Sequence, residues 1–254
     1  MTEKIEVRGV FFDNVDLDEA SAAVKNHIIS AESCMAVFTP NSEIVQNCIE
    51  SPDFREIINS AELIIPDGIG VVKASRIMGT PLKTKVAGIE LGERVIAMAA
   101  EFGWKIFILG GRKSTDEKAS VAEIAAEKMG AKYPGVTFCG THDGYFQKTG
   151  DENECVKDGI NQSGADVVFV CLGSPAQEKW IHANRGGLPN VRLMMGIGGS
   201  VDGYAGEVKR APKLFIKLGL EWFYRLLCDP KRIGRMMSLP RFYFGTWRAK
   251  FAKK

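Results

Sequence analysis

The stretch ADVVFVCLGSPAQEKWIHAN, residues 165–184, reads as one strand, loop and helix in succession. Asp166 to Leu172 is an apolar run of strand length, rich in Val and Phe, of the kind that is buried on both faces of a sheet. Gly173-Ser174-Pro175 breaks it with turn chemistry. Residues 176–184 then follow an amphipathic helical pattern. A strand buried on both faces and followed directly by a helix is the building unit of a parallel sheet, because parallel neighbours need a crossover connection.

Working outward, the same unit recurs along the chain. Strand-length apolar runs lie at Ala36 to Phe38, Leu63 to Ile65, Lys105 to Leu109, Val136 to Cys139 and Val191 to Ile197, and amphipathic stretches lie near 17–30, 41–59, 69–78, 89–102, 116–129 and 151–162. The alternation predicts an α/β fold whose mainly parallel sheet is covered by helices on both faces. Ligands of such sheets bind where the strands end and the helices begin. Here those loops are rich in Gly, Pro and small polar residues: Thr39-Pro40-Asn41-Ser42, Pro66-Asp67-Gly68-Ile69-Gly70, Gly110-Gly111-Arg112, Gly173-Ser174-Pro175 and Gly196-Ile197-Gly198-Gly199-Ser200. Any one of them is explained by a tight turn between strand and helix. Together they favour a ligand that the backbone approaches closely, and helix N-termini suit phosphate, so a nucleotide-containing substrate is expected.

Charge divides the chain. Of 33 Lys and Arg, 13 lie in residues 209–254, against only Glu221 and Asp229 of 31 acidic residues, so a net charge of about +11 sits behind a body of about −9. The same segment holds Phe215, Trp222, Phe223, Tyr224, Phe242, Tyr243, Phe244, Trp247 and Phe251. Basic charge interleaved with aromatic rings suits an anionic membrane surface or nucleic acid. A boundary is expected near residues 200–210, with an α/β body over 1–205 and a helical appendage over 206–254. Within the appendage, Lys213 to Leu227 reads as an amphipathic helix, interrupted at Pro230, and Pro240 precedes a further helical stretch. Residues 1–6 carry Glu3, Lys4 and Glu6 and no apolar run, unlike a secretory signal, and no stretch is apolar enough to span a bilayer. A cytoplasmic protein that meets the membrane only at its surface is expected. The six cysteines show no CxxC spacing, and Cys34, Cys139 and Cys171 lie in strand-like runs, so reduced core thiols are expected rather than disulfides or zinc.

Common nucleotide motifs are missing. Gly196-Ile197-Gly198-Gly199-Ser200-Val201 departs from GxGxxG at its last position, and no GxxxxGK[ST] occurs. Asp16-Leu17-Asp18 matches the DxD with which many sugar-nucleotide transferases hold a metal, but it stands where an Asp caps a helix, and the cap is the preferred reading. Of His27, His142 and His182, only His142 has a loop-like context, which argues against a histidine triad or metal site. Asp67 follows the strand Leu63 to Ile65 between Pro66 and Gly68, at the rim where a carboxylate can take a proton from a hydroxyl. The competing reading is that it caps the helix beginning at Ile69.

The blocks TPNSEIV (39–45), PDGIGVV (66–72), LGSPAQEKW (172–180), GIGGSVDGYAGEVKRAP (196–212) and GLEWFYRLLCDPKRIGR (219–235) resemble, in order and across nearly the whole chain, the signature blocks of the WecG/TagA/CpsF glycosyltransferase family. The resemblance implies a Rossmann-like body and transfer of N-acetylmannosamine, in a β-1,4 linkage, from its UDP-sugar to the N-acetylglucosamine of undecaprenyl diphosphate. Such transfer serves teichoic acid or related surface polysaccharides. UDP-N-acetylmannosaminuronic acid and UDP-glucose are the alternative donors within the family. It implies Asp67 as the base in a single inverting displacement, and Thr39, Asn41 and Gln177 as lining of the sugar pocket.

No metal or other cofactor is expected, so cations must meet the charge that grows on the leaving UDP. Arg225, Arg232 and Arg235 match the family's tail arginines and suit a diphosphate through their planar forks. Binding of lipid headgroups is the competing role for them. Gly198, Gly199 and Asp202 are expected to hold the base or ribose, the alternative being close packing of strand on helix. The segment Thr84 to Leu91 departs from the family's usual Arg-Val-x-Gly-x-Asp-Leu at Lys85 and Glu90, which bears on donor identity. A lipid-linked acceptor would account for a basic aromatic tail that works at the inner face of the membrane, without nucleic acid, and homo-oligomers remain open. From another class, a non-catalytic module that binds nucleotide-sugars at the membrane would keep its function after Asp67→Asn.

Overall fold

A computed structural model describes residues 2–30, 33–115, 118–208, 221–228 and 238–252, with positions 212 and 215. A short antiparallel hairpin, β1 (Lys4–Val7) and β2 (Val10–Asp13), precedes the main sheet. That sheet holds six parallel strands: β3 (Met35–Phe38), β4 (Leu63–Ile64), β5 (Lys105–Gly110), β6 (Thr137–His142), β7 (Val167–Cys171) and β8 (Leu193–Gly196), in spatial order β4-β3-β8-β7-β5-β6. The register sets Val37 beside Leu63, Met35 beside Leu193, and Val167 beside both Leu193 and Ile106. The expected α/β class with a parallel sheet is what the chain adopts.

Successive strand residues belong to opposite faces. Ala36, Phe38, Val168, Val170 and Met194 enter one core, while Met35, Val37, Val167, Phe169, Leu193 and Met195 enter the other. The first core is closed by the hairpin and by α2 (Ser42–Glu50), α3 (Pro52–Asn59), α4 (Ile69–Met78), α7 (Asp151–Ser163) and α8 (Ala176–Asn184). The second is closed by α1 (Leu17–Ser30), α5 (Gly88–Phe102), α6 (Val121–Lys132) and α9 (Ser200–Tyr204). Each fully buried Val, Leu, Ile or Phe contributes roughly 1.5–3 kcal/mol through removal from water. Both faces of the central strands collect that contribution, which is why their sequences lack polar alternation.

Several local expectations shift for identifiable reasons. The helical pattern over 41–59 is two helices: Ser51 ends α2 and caps α3, its Oγ accepting from Phe54 N at 3.4 Å, with Pro52 in the first turn. The helix expected from 116 begins at Val121, because Ser120 and Glu123 form a reciprocal capping box there. His142 ends β6 rather than lying in a loop. Pro240 sits in the first turn of the helix Ser238–Ala252, where its missing N–H costs nothing. The hairpin was not anticipated. Its turn places Arg8 and Gly9 at φ 55 and 88, and Asp13 Oδ2 at its end accepts a hydrogen bond from Ile64 N at 2.8 Å. That bond satisfies the outer edge of the two-residue strand β4, which would otherwise be exposed to strange partners.

The described residues of the basic segment include the helices α10 (Glu221–Cys228) and α11 (Ser238–Ala252). The second is packed against α2 and α4. Phe242 and Thr246, one turn apart, are fully buried, and Phe242 joins the core that the hairpin closes. Thr246 Oγ1 donates to Phe242 O at 2.7 Å, so its hydroxyl is satisfied inside the contact. Gly245 rests on the Arg8 guanidinium, and the Tyr243 hydroxyl lies 3.4 Å from a Cβ position at Gly70. The other face of α11 carries Phe244, Trp247 and Phe251, which are 77%, 48% and 62% exposed. In α10, Phe223 is exposed; Leu214 and Leu218 lie outside the described residues. Among the described residues no helix is long and apolar enough to cross a membrane.

Candidate active site

The chain leaving β3 turns to α2 on one face, and the chain leaving β8 turns to α9 on the other. Adjacent strands whose connections part in this way open a crevice at the sheet's C-terminal edge. Thr39, directly after β3, bridges it: its Oγ1 donates to Gly196 O at 3.3 Å. Thr39 is also pressed against the start of α5, where a Cβ on Gly88 would lie 3.1 Å from it. Gln177, on the first turn of α8, is brought to the same place by the Gly173 turn, whose carbonyl accepts from Gln177 N at 2.9 Å. Its carboxamide lies along the end of β8, with Nε2 3.1 Å from a Cβ position at Gly196 and Oε1 3.4 Å from one at Gly198. No side chain other than hydrogen fits at Gly196 without moving Gln177.

Asp67 stands on the adjoining loop, half-buried. The loop is fixed on both sides: Ile65 N donates to Phe38 O at 3.0 Å, and Val86 N donates to Pro66 O at 3.0 Å. The second bond draws the Lys85 to Glu90 segment beside Asp67. Asn41 has a role that its sequence context did not reveal. Its Oδ1 accepts from Ile44 N at 3.0 Å and so caps α2, while its Cβ is 3.7 Å from a Cβ position at Gly68. The N-cap of α4 is Gly68, at φ 116, with no side-chain cap. The N-cap position of α4 thus falls on Gly68, one residue after Asp67.

Gly198 is at φ 47, a left-handed conformation that favours glycine, and Gly199 is the N-cap of α9. Asp202 folds back towards Gly199, its Oδ2 3.4 Å from the Cβ position there. Tyr204 fixes α9 to α5 by donating to Ile89 O at 2.7 Å. Thr39, Asn41, Asp67, Gly198 and Gly199 thus lie on strand-end loops, and Gln177 and Asp202 on the first turns of the helices that follow β7 and β8. Arg232 and Arg235 lie outside the described residues, as does the side chain of Arg225 in α10.

The electrostatics add one residue that motif reading passed over. Glu178 is buried, and burial pushes its carboxyl above the ordinary carboxylate range, an effect opposed by the hydrogen bond from Gln177. The signal was present in the sequence: Glu178 is three residues before Ile181, on the inward side of α8, where an acid is out of place. Elsewhere Asp16 caps α1, exchanging hydrogen bonds of 2.9 Å with Glu19, and Asp18 pairs with Arg94 at 3.1 Å, so the DxD is used by the helix start. Among the described residues no cluster of His, Cys, Asp or Glu has the makings of a metal site. Burial pushes the thiols of Cys34 and Cys48 up to about 12, which makes them unreactive; Cys155, by contrast, is exposed.

The chain is similar to known proteins over almost its whole length. The model of the glycosyl transferase WecG/TagA/CpsF family matches residues 5–254. Relatives from Staphylococcus aureus strains MRSA252, NCTC 8325 / PS 47 and COL, each named N-acetylglucosaminyldiphosphoundecaprenol N-acetyl-beta-D-mannosaminyltransferase, are 36% identical over 250 residues, which cover 98% of this chain and 94% of theirs. A match of that extent includes the strand-end loops and the basic segment alike, and the chain belongs to the WecG/TagA/CpsF family of glycosyltransferases.

Proposed function

We propose that this glycosyltransferase moves N-acetylmannosamine from UDP-N-acetylmannosamine to the N-acetylglucosamine of undecaprenyl-diphosphate-N-acetylglucosamine, forming a β-1,4 linkage for teichoic acid or a related surface polysaccharide. The observation that carries this reading is the 36% identity, over 98% of the chain, to relatives whose name states that transfer. Asp67 takes the proton of the acceptor hydroxyl as it attacks the anomeric carbon, and UDP leaves from the opposite side with inversion. Thr39, Asn41 and Gln177 wall the sugar, and Gly198, Gly199 and Asp202 hold the nucleoside. The negative charge developing on UDP is met by Arg225, Arg232 and Arg235, without a metal. Segment 206–254 completes the site and rests on the cytoplasmic face of the membrane, where the lipid-linked acceptor lies.

Support for the role of Asp67 comes from its loop, which is anchored to β3 through Ile65 and to Val86 through Pro66. The test is UDP release by the purified full chain, given UDP-N-acetylmannosamine, its uronic acid and UDP-glucose in turn with the lipid-diphosphate acceptor. Acceptor-dependent release is expected with the first donor, and Asp67→Asn is expected to lower it by about 10²–10⁴-fold. Release that the substitution leaves unchanged would remove Asp67 from the mechanism; release from another donor alone would change the assigned sugar.

A further inference from the structure

Polar atoms buried in folded proteins are nearly always hydrogen-bonded. Gln177 and Glu178, 4% and 1% exposed, depart from that rule at the wall of the crevice. Gln177 Nε2 donates to Glu178 Oε1 at 2.9 Å. The remaining oxygens of the pair, Gln177 Oε1 and Glu178 Oε2, have no hydrogen-bond partner among the described residues, nor has the buried Ser174 Oγ on the preceding turn. Ser174 is near enough to weaken the upward shift of the Glu178 carboxyl, yet it makes no bond of normal geometry.

An unpaired buried acceptor costs about 1–3 kcal/mol, so such an atom persists where a ligand completes it. Gln177 Oε1 is the member of the trio that lies towards the open strand end, closest to Gly198, whereas Nε2 is turned inward to Glu178. The carboxamide has two faces to offer, a donor and an acceptor, and its neighbour decides which one the crevice meets. With Nε2 bonded to Glu178 and packed along Gly196, Oε1 is the carboxamide atom nearest Gly198.

We propose that Glu178 is a positioning residue: it holds the Gln177 carboxamide with Oε1 presented to the crevice, so that Gln177 reads a hydrogen-bond donor on the transferred sugar, a hydroxyl or the acetamido N–H. This rests on the glycosyl-transfer reading above. A pocket that accepts such a bond rejects analogues lacking the donor far more strongly than an apolar wall can, because the acceptor is then left unpaired. Glu178 itself never touches substrate; it acts through Gln177.

The test compares wild type with Glu178→Gln, which keeps an accepting oxygen for Gln177 Nε2, and Glu178→Leu, which has none. Two quantities are read: affinity for UDP-N-acetylmannosamine against affinity for UDP alone, and the hydrogen-exchange protection of the Gln177 side-chain amide by nuclear magnetic resonance. Expected for Glu178→Leu is a loss of about tenfold or more in affinity for the sugar nucleotide, UDP affinity within about twofold of wild type, and an unprotected amide. Glu178→Gln is expected to restore both readouts to near wild type. Equal losses for UDP and the sugar nucleotide, or full affinity in Glu178→Leu, would overturn the positioning role while leaving the transfer reading intact. A wild type that binds neither nucleotide would sink the transfer reading and the sugar reader with it. An amide unprotected in folded wild type would reject the Glu178 contact on its own.

Discussion

A carboxyl group kept from water resists ionisation, and Glu178 carries that resistance into the stability of the whole chain. Burial raises its folded-state pKa above that of the unfolded chain, so the folded state holds the proton more tightly. The contribution is complete below the ordinary carboxylate range and is lost as pH climbs through the raised value. Glu178→Gln removes the titration: its denaturation midpoint should match wild type around pH 4 and exceed it near neutrality. Denaturant melts at both pH values check this, and a difference that stays constant with pH would show that ionisation is not its source. At this scale the sequence was readable where a residue's neighbours are local. Asp67, between a strand and a Pro/Gly turn, declared its place at the rim. The capping role of Asn41 was in principle local too, since Asn41 stands three residues before Ile44, but its contact with Gly68 is not. The pairing of Gln177 with Gly196 and Gly198 depends on which strand lies beside which, and spacing along the chain does not carry that.

Helix α11 is a helix with two apolar faces, and they should respond differently to the same substitution. Phe242→Ala empties a fully buried site and is expected to cost roughly 3–5 kcal/mol, seen as a lower melting temperature or as loss of amide protection over 238–252. Phe244→Ala, on the exposed face, should change stability by less than about 0.5 kcal/mol. Similar effects at the two positions would mean that the helix is not seated as described. Periodicity alone could not separate these faces, since aromatic residues occupy both. The same limit explains the other element-scale differences. Helical periodicity runs straight through Ser51-Pro52, and only the doubled use of Ser51 as end and beginning divides α2 from α3. The start of α6 was written in the sequence as Ser120-x-x-Glu123, a signature more precise than the hydrophobic pattern that overran it. The hairpin strands are too short for their alternation to stand out, and β1 runs from exposed Lys4 to buried Val7 with a single fully buried residue.

For the molecule as a whole, the charge division reappears as geometry: α11 holds the body on one side and presents Phe244, Trp247 and Phe251 on the other, with Lys250 over the Trp247 ring at 5.6 Å. The full chain is therefore expected to bind vesicles containing anionic lipid, to release them as salt rises, and to lose about tenfold or more in affinity in Trp247→Ala/Phe251→Ala with its circular dichroism unchanged. Binding that ignores lipid charge would refute this. The α/β class and the rim loops could be read from runs and turns, because parallel strands advertise double burial. The seating of α11 could not, because it joins segments that are remote in sequence. That remoteness has a consequence for how the protein is made. The Arg8 turn leaves the ribosome early, and Gly245, which rests on it, leaves late. Until residues 238–252 are made, the place that Phe242 fills beside α2 and α4 lacks its occupant, so this part of the core is the last to be completed.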